Sequence, residues 1–156
     1  MMENESFVYE ASAPLSGMQP ISEVKIGSPS RGKNGWDWIT VKAMWDTGAT
    51  LCAISRDLCD RLGLKPERCM PVRSFSNPDG IMTPYDAVLL KIIQGPYAIL
   101  TMAHVLDKSP IDHDMLIGMA VISAGKFSLT VNGNNLDIRL EISPRFRGLK
   151  KLRDSD

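Results

Sequence analysis

Asp46-Thr47-Gly48-Ala49 places a single carboxylate on a tight turn directly after the apolar run Ala43-Met44-Trp45. A carboxylate held in this way can serve as half of a hydrolytic pair. Water attacks a peptide carbonyl poorly. Two carboxyl groups sharing one proton overcome this, because one takes a proton from the water while the other gives one to the carbonyl oxygen. Two carboxyls so close cannot both ionise readily, and their titration belongs to the pair. The neighbouring residue types suit the task. Thr47 can donate its hydroxyl to nearby backbone and brace the turn, Gly48 lets main chain approach a ligand closely, and Ala49 keeps the turn uncrowded. Asp-X-Gly also occurs in ordinary turns, so the flanking residues have to carry the distinction.

Those flanks are specific. Val41 to Ser55, in which Asp-Thr-Gly-Ala leads to Cys52-Ala53-Ile54-Ser55, resembles the active-site loop of the retropepsin-like aspartic proteases. Downstream, Asp114-Met115-Leu116-Ile117-Gly118-Met119-Ala120-Val121-Ile122 resembles the strand, glycine and short helix that support this loop in each subunit of that family. The resemblance covers roughly residues 21 to 142. It implies an all-β fold, a closed and mostly antiparallel acid-protease barrel with one or two short helices. It also implies a peptidase that needs no metal, cofactor or covalent intermediate. Asp46 would be catalytic, Thr47 would brace the turn, Gly48, Ala49 and Thr50 would line the substrate cleft, and Gly118 would lie beneath the loop.

Asp-Thr-Gly occurs once in the chain and Asp-Ser-Gly does not occur. One chain therefore supplies half a site, and a two-fold homodimer would complete it with Asp46 from each subunit on the axis. The expected partners are a second copy and a peptide or protein substrate. The alternative is a retropepsin-fold dimerisation or protein-binding module with little or no proteolysis.

Composition sets the outer bounds. The chain has 156 residues, 44% of them hydrophobic, which suits one domain with a modest core. Lys plus Arg and Asp plus Glu number 18 each, so no overall field favours nucleic acid, which is not expected as a partner. No apolar run approaches the roughly 20 residues of a membrane span. The acidic start, Met1-Met2-Glu3-Asn4-Glu5, is unlike a secretory signal, so a cytoplasmic location is expected. Cys52, Cys59 and Cys69 are odd in number and lack a Cys-x2-Cys pair, which reads as buried free thiols, with Cys52 close enough to Asp46 to merit oxidation tests. Asp112-His113-Asp114 could suggest a metal site, but neighbours on a strand face opposite ways and no third ligand is suitably spaced.

The elements that must position the loop read mostly as strands. Residues 1–20 form an expected flexible arm, 21–143 the domain, and 144–156 a basic tail. Ile21 to Ile26 alternates as a half-buried strand, Ser28 to Gly35 is a polar loop, and Trp36 to Met44 is a β-rich approach to Asp46. Ser55 is placed to cap a short helix from Arg56 to Leu62 that stops at Gly63, with Asp57 favouring its first turn. Val72 to Tyr85 carries the turn signal Asn77-Pro78-Asp79-Gly80. It reads as a flap hairpin, with Asp79, Gly80 and Ile81 at its tip and Pro84 weakening the register. Asp86 to Ile93 and Tyr97 to Val105 are core strands. Lys126 to Thr130 and Leu136 to Ile142 form a hairpin around Asn132-Gly133-Asn134-Asn135. Pro144 to Arg153 is basic, either a solvated end or a weak contact for an acidic partner or nucleic acid.

Overall fold

A computed structural model describes residues 7–29, 38–66, 68–72, 83–107, 113–146 and 148–152. Alternation of apolar and polar residues builds most of its strands. In β2 (Ile21–Gly27) Val24 and Ile26 are buried while Glu23 and Lys25 are exposed, and in β3 (Trp38–Trp45) Val41, Ala43 and Trp45 are buried while Thr40 and Lys42 are exposed. β4 (Cys52–Ser55) runs into α1 (Arg56–Arg61). Ser55 caps that helix as expected, its Oγ accepting the Leu58 N–H at 3.1 Å, and Gly63 follows with φ +64°.

β6 (Thr83–Gln94), β7 (Tyr97–Leu106) and β8 (Met115–Ile117) complete a closed ring, and β5 (Arg68–Val72) extends it at the outer side of β6. Around it the order is β7, β4, β8, β3, β2 and β6, and β6 pairs back to β7. Two of these pairings are parallel, β3 with β8 and β4 with β7, and the rest are antiparallel. This is the closed, mostly antiparallel barrel expected from the sequence, with Ile26, Ile54, Leu90, Met115 and Ile117 among its fully buried side chains. α2 (Met119–Ile122) is a single turn after β8. No described helix is long and apolar enough to cross a membrane.

Beside the barrel lies a second, three-stranded sheet in the order β1 (Phe7–Pro14), β10 (Asn135–Ile142), β9 (Gly125–Asn132). Its hairpin is the one expected around Asn132 to Asn135, and Gly133 takes φ +60° at the first central position of the turn. Two local expectations change here. Residues 7–14 are not a loose arm: β1 pairs with β10 along its whole length, from Phe7 opposite Ile142 to Pro14 opposite Asn135, and buries Phe7, Tyr9 and Ala13. Burial of three side chains and a full antiparallel ladder outweigh the irregular Pro-Leu-Ser-Gly that follows. The basic tail is likewise structured in part. β11 (Leu149–Lys151) pairs with β7, Leu149 opposite Ile99, and Phe146 packs against the core.

Candidate functional site

β3 pairs in parallel with β8, so that its last residue, Trp45, lies opposite Ile117. The ladder continues one residue further, where the Asp46 N–H donates to the Ile117 carbonyl at 2.9 Å. There the chain turns. The Ala49 N–H donates to the Asp46 carbonyl at 3.2 Å, and the Gly48 N–H donates to Asp46 Oδ1 at 2.8 Å. The second bond ties the carboxylate to the amide two residues on and fixes its orientation. A Cβ at position 48 would stand 3.2 Å from that same oxygen, so glycine keeps the approach open. Asp46 and Ala49 are half-buried; Thr47, Gly48 and Thr50 are exposed. The turn is thus held by the Asp46 carboxylate and by backbone.

Support comes from below. α2 points its first free N–H groups at the loop: Met119 donates to the Ala49 carbonyl at 2.7 Å and Ala120 to the Thr50 carbonyl at 2.8 Å. A helix start always has such donors to place, and here the loop takes them. Gly118, just before the helix, is buried against the same segment. A Cβ on it would overlap the Leu51 carbonyl oxygen and come within 2.8 Å of the Ala49 carbonyl oxygen. Its backbone is extended, so the demand for glycine is one of space alone.

Cys52, at the start of β4, is fully buried. Burial pushes its thiol pKa up, against hydrogen bonds from the Gly118 backbone and the Thr101 hydroxyl that pull it down. A shielded, protonated thiol resists oxidation, which makes Cys52 packing beneath the loop rather than a reactive group.

Trp45 is anchored by partners that the local sequence did not reveal. Its indole N–H donates to Ser22 Oγ at 2.8 Å. The Tyr9 hydroxyl donates to the Glu23 carbonyl at 2.6 Å and lies 2.6 Å from Ser22 Oγ, so the serine proton runs to Tyr9. The indole ring also packs against Tyr9, with ring centroids 5.2 Å apart, and stacks on Phe127 at 5.6 Å. β1, β2 and β9 thus converge on the residue that precedes Asp46. The missed signal was the alternation of Phe7, Tyr9, Ala11 and Ala13 in the first strand.

β5 and β6 form the two arms of a hairpin, with Val72 opposite Thr83 and Pro71 opposite Pro84. The expected tip residues, Asp79, Gly80 and Ile81, lie outside the described residues.

A family model described as "gag-polyprotein putative aspartyl protease" matches residues 37–124. Among solved structures the chain is similar to a retropepsin-like aspartic protease from Rickettsia conorii, with 16% identity over 92% of this chain and 100% of that one and a TM-score of 0.53. It is also similar to the Simian Foamy Virus (mac) protease, with 17% identity over 65% of this chain and 92% of that one, at a TM-score of 0.40 that is too loose to bear on the fold. No curated protein matches the sequence significantly.

Proposed function

This chain belongs to the gag-polyprotein aspartyl protease family, and from that premise we propose that it is an aspartic endopeptidase working as a homodimer, with Asp46 of each subunit supplying half of one site. The observation that carries this reading is the built loop. A single Asp-Thr-Gly turn has its carboxylate pinned by the Gly48 N–H, and α2 bonds to the loop from beneath. In the dimer, a water between the two Asp46 carboxyls gives its proton to the ionised one as it attacks the peptide carbonyl. The protonated carboxyl meanwhile donates to the carbonyl oxygen. The peptide lies along Gly48, Ala49 and Thr50.

The test is digestion of a diverse peptide library from acid to neutral pH with wild type and Asp46→Asn. Wild type is expected to cleave best in acid, with activity declining as the shared proton is lost toward neutrality. Asp46→Asn changes both halves of the site at once and is expected to abolish turnover while keeping the fold, since Asn matches Asp in shape. Undiminished cleavage by the Asn variant refutes the mechanism. A folded wild type inert on every library leaves a dimerisation or protein-binding module in its place.

A further inference from the structure

We infer that the free edge of β9 is the surface on which a second copy of this chain docks. The inference rests on Asp46 being half of a dyad, which makes the site incomplete in one copy. Among the described residues β9 pairs only with β10, so its other side is an open strand edge. The hairpin register says which groups that edge presents. Asn132 and Asn135 flank a two-residue turn as a hydrogen-bonded pair, and bonded and non-bonded pairs then alternate along the ladder. Phe127, Leu129 and Val131 therefore fall at the non-bonded pairs, with their N–H and C=O groups directed away from β10.

The side chains of the same three residues share one face. Phe127 stacks on Trp45 beside the Asp46 loop, and the face continues outward as Leu129 and Val131, which are 43% and 63% exposed. Open backbone and open apolar side chains thus coincide next to the half-site. Met119 of α2 is exposed, as are Thr47, Gly48 and Thr50 of the loop.

The other sheet edges carry the features that discourage pairing, and β9 does not. β11 is three residues long with two lysines, and β5 contains Arg68 and Pro71. β1 ends in Pro14 and packs on β2 and β6. β9 is eight residues long, has no proline, and carries its only charge at Lys126 near one end. β1 pairs along its whole length with β10 of its own chain, so the side it turns to β10 is already taken. The whole sheet lies outside residues 37–124, the segment that matches the family model.

The test combines sedimentation with residue-resolved amide exchange. Leu129→Lys/Val131→Lys places gatekeeper charges at two exposed positions, so the monomer should fold with an unchanged circular dichroism spectrum. Its dimerisation midpoint is expected to rise at least tenfold. In wild type the amides of Leu129 and Val131, which have no acceptor across β10, are expected to exchange slowly in concentrated solution and rapidly on dilution. Asp46→Asn should dimerise through the same edge, which separates this inference from the catalytic reading. A folded lysine variant that dimerises like wild type, or Leu129 and Val131 amides that exchange equally fast at all concentrations, overturns it. Protection that persists at every dilution assigns the edge to the chain's own first residues and overturns it as well.

Discussion

Gly118 is defined by an atom it lacks. The carbonyls of Leu51 and Ala49 occupy the space a Cβ would need, and both belong to the segment that carries the site. Gly118→Val is expected to lower stability by about 1 to 3 kcal/mol, as overpacking of a tight contact does. It should reduce peptidase activity further, because relieving the clash displaces the loop; unchanged melting and turnover would contradict the contact. This glycine was legible in the sequence, since Leu-Ile-Gly-Met keeps its meaning within a few residues. The partners of Trp45 were not, because Tyr9, Ser22 and Phe127 come from three separate strands and no local pattern joins them. The bond from the Gly48 N–H to Asp46 ties the turn to its own carboxylate. Trp45→Phe tests the anchor. It keeps an aromatic ring but removes the donor to Ser22, and is expected to cost about 1 kcal/mol in denaturant unfolding.

Among the elements, those with a sharp local signal were read correctly and those decided by distant partners were not. α1 announces itself with Ser55 at the cap and Gly63 at the stop. Ser55→Ala should cost about 1 kcal/mol, read from the urea midpoint, because the Leu58 N–H loses its acceptor. β2 and β3 follow their alternation, β6 and β7 their apolar runs, and the β9–β10 hairpin its turn residues. β1 alternates too, but two of its inward residues are alanines, whose weak apolar signal did not outweigh the turn residues beside them. What orders it is β10, at the other end of the chain. β11 is set in the same way by the edge of β7, where the Leu100 N–H reaches the Gly148 carbonyl at 3.1 Å and the Leu152 N–H reaches the Pro96 carbonyl at 2.6 Å. A lysine-rich end has no period of its own, so only the strand it meets defines it.

At the scale of the molecule, fold and proposed chemistry place opposite demands on pH. His104 is buried in β7, and burial holds its pKa below the usual value. As pH falls through about 6.5 the unfolded chain takes up a proton that the folded chain refuses, so stability declines from there until the folded state can also protonate. Urea midpoints are expected to fall between pH 7.5 and pH 5, and to fall less in His104→Gln; equal slopes would remove His104 as a cause. The proposed cleavage favours acid, so its working range lies where the dyad still keeps its proton and the barrel has not yet weakened. The pairing of β1 with β10 has a consequence in time. Strands near opposite ends of the chain must meet before that sheet exists, and contacts so distant in sequence form slowly. On the ribosome, β2 and β3 can emerge and pair while Trp45 still lacks Phe127 and β1 still lacks its ladder. The sheet beside Asp46 is therefore completed only after β9 and β10 are synthesised, and until then a nascent chain carries its Asp-Thr-Gly loop without the anchor that fixes it.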